Sequence, residues 1–212
     1  MRGVEMMKRD LTFCIVAVIA LGQAERAWAK LEIGEKAPPI KIKKWVKGQE
    51  IDPTNSGGKF VMLEFWATWC GPCKATMPHL SELQKKYESA GLVVVGVSRE
   101  EVKVVEPFAK DASNKMEYTV AVDDRDDTWN KYMNGVGAMG IPYAFLVDRQ
   151  GNLAWHGSPR DQHLEDLLTE IAKGTYDPER FAEKMRKVKR YEEYIELKAP
   201  QRALGLIDEL IA

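Results

Sequence analysis

Two cysteines separated by two residues, Cys70 and Cys73, stand in the stretch EFWATWCGPCKATMP, Glu64 to Pro78. Thiols at this spacing can exchange disulfides, give two ligands to a soft metal ion, or close a small structural bridge. A C-x-x-C bridge closes so short a loop that it constrains the unfolded chain little, which weakens the structural reading. A metal site needs further ligands. His79 lies six residues beyond Cys73 and is rotated away from it around a helix, by ~240° at ~100° per residue, while His156 and His163 lie far along the chain. Glu64, six residues before Cys70, is a carboxylate in an otherwise apolar run. If that run is buried, its pKa rises and it can give and take protons near neutrality; at a sheet margin it would be an ordinary surface Glu.

The elements that position these residues follow from the hydrophobic pattern. KFVMLEFW, Lys59 to Trp66, is nearly continuously apolar and reads as a central strand buried on both faces. From Cys73 to Ser89 the apolar residues Met77, Leu80, Leu83 and Tyr87 take helical spacing. A strand leading through C-x-x-C into a helix sets both sulfurs at the helix N-terminus, where free N–H groups and the dipole favour thiolate. Cys70 is then expected on the exposed lip as the attacking thiol, with Cys73 one turn inward as the resolving one. Pro72 restrains the loop, Gly71 lets a partner backbone come close, and Trp69 offers an apolar plate.

Further along, GLVVVGVS reads as a buried strand, EPFAKDASNK as a helix beginning near Pro107, EYTVAVD as a strand and DTWNKYM as a short helix. YAFLVD and NLAWHG form a hairpin around DRQGN, and Leu164, Leu167, Leu168 and Ile171 stripe a helix that Gly174 ends. Upstream, Pro38 and Pro39 exclude helix, IKIKKWV alternates weakly as an edge element, and KGQ is placed to turn a short hairpin. Strands alternating with helices give an α/β fold with a mixed sheet. From Asp177 and Pro178 onward, mixed charges and a break at Pro200 read as two helices. They form a solvated pair with one face on the domain, or a partner or dimer contact.

The first residues differ in character. Lys8 and Arg9 precede the apolar run LTFCIVAVIALG, and Ala27 and Ala29 flank Trp28, the layout of a signal peptide cleaved after Ala29. The run falls short of the ~20 residues that span a bilayer. Cleavage removes Cys14 and leaves Cys70 and Cys73 as the cysteines of an exported chain. The expected division is 1–29 signal peptide, 30–176 main domain and 177–212 helical extension. A net charge of −1 over 212 residues gives no reason to expect nucleic acid as a partner.

FWATWCGPCK resembles the active site of the thioredoxin superfamily. The signal peptide, the EYTVAVDDRDDTWNKYM unit and GIPYAFLVDRQGNLAWHG are similar to its exported TlpA-like (redoxin) branch. The resemblance runs from about Ile33 to Asp177. It implies a thioredoxin-like fold: a mixed central sheet flanked by helices, with an N-terminal extended element, an inserted strand-helix unit and a C-terminal helical extension. It also implies a redox-active Cys70–Cys73 disulfide and a cis Pro142 facing it, with the Ile141 backbone pairing with substrate. Glu64 then stands as the buried proton carrier, although VVVGVS offers it no lysine partner of the thioredoxin kind. Thr76 departs from the glutamate that many TlpA-like reductases carry just past C-x-x-C, and Pro78 matches a proline that kinks the helix.

Gly71-Pro72 and Ile141 match the reducing thioredoxins, so the resemblance implies a reductant of client disulfides, recharged by an upstream membrane thiol donor and needing no cofactor. Three other functions compete: an oxidant that introduces disulfides, a copper-binding chaperone, and a thiol peroxidase. The Pro-x-x-x-Thr-x-x-Cys pattern of peroxiredoxins is absent, since Ala67 stands three residues before Cys70.

Overall fold

The computed structural model of the protein describes residues 30–198, 202 and 204–207. The segment read as a signal peptide and the break at Pro200 lie outside them. A six-stranded mixed sheet runs in the order β1-β4-β3-β2-β5-β6. Its strands are β1 Ile42–Lys47, β2 Phe60–Trp66, β3 Leu92–Ser98, β4 Thr119–Asp123, β5 Tyr143–Val147 and β6 Leu153–Gly157. The helices are α1 Gly71–Tyr87, α2 Val102–Lys110, the single turn α3 Asp127–Trp129 continued by a π-helical stretch Asn130–Asn134, α4 Gln162–Lys173 and α5 Pro178–Glu196. Among the described residues no helix is long and apolar enough to cross a membrane.

β2 is buried at all seven positions. It pairs in parallel with β3 and antiparallel with β5, so it lies between neighbours and both faces are covered. On one face Phe60, Met62 and Trp66 pack with Met77 and Leu80 of α1, Val105 of α2 and the Leu164, Leu167, Leu168 and Ile171 stripe of α4. On the other, Val61, Leu63 and Phe65 pack with Tyr132 and Met133. Burying a leucine of the α4 stripe stabilises by about 1.5–3 kcal/mol, and Gly174 ends the helix in the left-handed conformation at φ 68°.

Two expectations are corrected. The KGQ segment turns no hairpin: β1 lies at the sheet edge, as its weak alternation suggested, but its partner is β4, some 75 residues on and out of reach of any local turn signal. The helix at EPFAK begins at Val102, after Glu101 at the N-cap position, so Pro107 lies inside it. Val105 and Ala109 anchor the helix to the core, and that burial outweighs the one backbone hydrogen bond the proline forfeits. The residues before β1 run beside the hairpin, where the Gly34 N–H donates to the Leu153 carbonyl and the Leu153 N–H to the Glu35 carbonyl, both at 2.8 Å. After α4, Asp177 caps α5, whose Phe181 and Ala182 are buried against the domain.

Candidate active site

β2 delivers the chain from the middle of the sheet to the N-terminus of α1. Between them Thr68 is clamped by Glu100, which accepts from its backbone N–H at 2.6 Å and from its hydroxyl at 2.7 Å. Cys70 is the N-cap of α1. Its Sγ takes the place an Asp or Ser oxygen usually holds and accepts the Cys73 N–H at 3.1 Å. No acidic residue occupies the first turn, so nothing there opposes the positive end of the helix dipole. A sulfur in this position is stabilised most when it is anionic.

Cys70 and Cys73 are joined in a disulfide, with 5.3 Å between their Cα atoms. Across from them the Ile141–Pro142 peptide is cis, and the Ile141 carbonyl oxygen lies 3.9 Å from Cys70 Sγ. A disulfide sulfur has no proton to donate, so this is a contact in the oxidised state. It brings together residues 71 positions apart.

The lip expected for Cys70 is narrower than the sequence suggested. Cys70 is 4% exposed and Cys73 fully buried, whereas Trp69 is 73% exposed and Gly71 and Pro72 lie open to solvent. The order of access between the sulfurs holds, but Cys70 sits in a slot. Ala67 packs in the same cluster as Cys70, with Ile141 against it.

Glu64 is buried in the middle of β2, 1% exposed. Strand alternation puts it with Met62 and Trp66 on the face where α1 and Cys73 pack. Its partners in register are Gly96 and Ala144, the smallest side chains available. Neither carboxyl oxygen has a hydrogen-bond partner within the chain. Burial pushes its pKa up to about 8. Thr76 is also buried, and its hydroxyl donates to the Cys73 carbonyl at 2.7 Å within the helix, which ties it to backbone. His79 faces Glu165 of α4 at 3.9 Å.

Two contributors were not visible in the sequence. Glu100 and Arg160, whose guanidinium donates to the Ala75 carbonyl at 2.6 Å, hold the site through contacts between residues far apart in the chain and carry no local signal. Met139, two residues before Ile141, is fully exposed and, among the described residues, makes no contact that assigns it to the site.

A disulfide at a helix N-terminus after a central parallel strand, faced by a cis-proline loop, defines the thioredoxin-type thiol-disulfide oxidoreductases. The profile described as AhpC/TSA family matches residues 33–156. The thiol-disulfide oxidoreductase ResA of Bacillus thuringiensis subsp. konkukian is 32% identical over 145 residues, 67% of this chain and 80% of that protein. A thiol:disulfide interchange protein of the thioredoxin family from Chlorobium tepidum superposes with a TM-score of 0.53 at 28% identity, covering 65% of this chain and 95% of the other. A thiol:disulfide interchange protein from Bacteroides sp. shares the fold, with a TM-score of 0.58 at 21% identity over 70% of this chain and 95% of the other. The chain belongs to the AhpC/TSA family, in the TlpA-like branch of the thioredoxin superfamily, and is a thiol-disulfide oxidoreductase.

Proposed function

We propose that the protein is an extracytoplasmic reductant of client protein disulfides. The observation that carries this reading is the place of Cys70 Sγ: N-cap of α1, accepting the Cys73 N–H and facing the Ile141 carbonyl across the slot. In the reduced protein the Cys70 thiolate attacks one client sulfur, and the client's other sulfur leaves and takes up a proton. Cys73 passes its proton to Glu64 in its ionised form, the minority form near neutrality because burial raises the pKa to about 8, and attacks Cys70 Sγ, expelling the second client thiolate, which is protonated in turn. The dithiol becomes a disulfide and the client disulfide two thiols, with two electrons and two protons transferred. Trp69, Gly71, Pro72, Ile141 and Pro142 form the client rim, where the Ile141 backbone pairs with an extended segment of the client.

The direction is supported by the Gly71-Pro72 dipeptide and Ile141, shared with reducing thioredoxins. Residues 1–29 act as the signal peptide, 30–176 as the catalytic domain and 177–212 as an appended helical region that can contact a partner or a second copy. An upstream membrane thiol donor returns the disulfide to the dithiol. Ala67, where a peroxidase needs its threonine, disfavours peroxide as substrate.

The test is trapping in the native envelope. Cys73→Ser should accumulate mixed disulfides through Cys70, and Cys70→Ser should not. Equal trapping by both variants would overturn the assignment of roles. An equilibrium potential near the ~−120 mV of a strong oxidant, rather than the ~−270 mV of thioredoxin, would overturn the direction.

A further inference from the structure

Three polar groups on one face of the sheet are buried without a hydrogen-bond partner in the chain: the Glu64 carboxyl, the Trp66 indole Nε1 and the Tyr118 hydroxyl. They share a neighbourhood that Gly96 creates. Gly96 is the partner of Glu64 in the parallel β2–β3 register. A Cβ built on it would lie 2.9 Å from Trp66 Nε1 and 3.1 Å from Tyr118 Cε2. The two rings therefore converge over the glycine beside the carboxylate, where the sequence provides no lysine. Tyr118 stands just before β4 and is 5% exposed. Its electrostatic partner is Glu64, whose charge, after burial, opposes ionisation of the phenol. The phenol thus stays protonated and remains a donor.

Buried polar groups are almost always satisfied, by protein or by ordered water, and an internal water takes two to four polar partners. One carboxylate acceptor, one indole donor and one hydroxyl able to do either make such a set. We propose that Tyr118, together with Trp66, holds the Glu64 carboxylate through a shared internal water, making Tyr118 a positioning residue for the proton carrier of thiol exchange. This rests on the proton role given to Glu64 above. Among the described residues, the titratable side chains in the core on this face besides Glu64 include Tyr87 of α1, Tyr118 from the approach to β4 and Tyr176, with Cys70 and Cys73 held in the disulfide; Tyr118 is the one whose ionisation the Glu64 charge opposes. β3 and β5 contribute Gly96 and Ala144, and α2 contributes Phe108, whose ring lies 5.4 Å from that of Trp66.

Tyr118→Phe removes the hydroxyl and keeps the ring. The ionised carboxyl then loses a donor and holds its proton more tightly, so the Glu64 midpoint, followed by carboxyl-carbon NMR, should rise by roughly half to one pH unit. The pH profile of client disulfide reduction should move the same way. Tyr118→Phe added to Glu64→Gln should shift that profile no further than Glu64→Gln alone. An unchanged Glu64 midpoint in folded Tyr118→Phe protein overturns the inference whatever the activity. A shifted midpoint with Glu64→Gln fully active supports the contact and removes instead the proton role of Glu64. Should Tyr118→Phe fail to fold, a high-resolution crystal structure of the unmodified protein decides: an ordered water bonded to all three groups supports the inference, and a dry site overturns it.

Discussion

Replacing Glu64 with glutamine should change how stability depends on pH, with an effect that is small in acid and grows toward pH 8. The folded protein holds the Glu64 proton up to about pH 8, against an ordinary value of 4.5. Its contribution is fully present below pH 4.5 and is lost as pH rises through the folded value, because the unfolded chain gains from ionising while the folded one does not. Over that interval the loss runs at about 1.4 kcal/mol per pH unit, reaching roughly 5 kcal/mol. His156 works in the opposite sense, because burial lowers its pKa from 6.5 to about 4, so the raw profile is partly flattened between those values. Subtracting the Glu64→Gln profile cancels that term. Urea unfolding of the oxidised proteins at closely spaced pH values should show the variant gaining on the wild type by about 1.4 kcal/mol per unit from pH 5 to 8, then levelling. A difference that stays constant across that range refutes the buried, unpartnered carboxyl and with it the account of proton transfer.

His156 accepts from or donates to the Tyr143 hydroxyl at 2.8 Å. Held neutral by burial, it should cost the protein up to about 3 kcal/mol as pH falls from 6.5 to 4, a loss that His156→Gln removes from the acid limb of the unfolding profile. Glu100→Ala frees both Thr68 donors and should destabilise by about 2 kcal/mol, with faster amide exchange at Thr68 as the local readout. Gly48→Ala places a side chain at φ 79°, with its Cβ 2.9 Å from the Thr119 Cα. The strained backbone and the clash together should cost at least about 2 kcal/mol, measured as a lower unfolding midpoint.

The elements closest to the chemistry were readable because their signals are local. β2 is one unbroken apolar run, α4 a clean stripe ended by a left-handed glycine, and C-x-x-C marks the start of α1 by itself. Glu64 could be suspected of burial from its neighbours alone. What stayed hidden depended on contacts distant in sequence. The partner of β1, the burial of Cys70 beside Ile141, the clamp from Glu100 and the convergence of Trp66 and Tyr118 over Gly96 all arise only when the sheet is assembled. Pro107 misled for a related reason: a proline suits the first turn of a helix, but packing of Val105 and Ala109 carried this helix one turn further back.

The backbone bonds between residues 34–35 and Leu153 give the N-terminal segment a protective duty. β1, at one margin of the sheet, carries Lys43, Lys44 and Lys47 and repels other strands by charge. β6, at the other margin, is the apolar LAWHG and is shielded by the segment that crosses it. A chain that starts at Lys30 keeps this shield, while one trimmed past Lys36 would lay bare an apolar edge able to pair with a second molecule. The segment ahead of β1 therefore bears on solubility as much as on the fold.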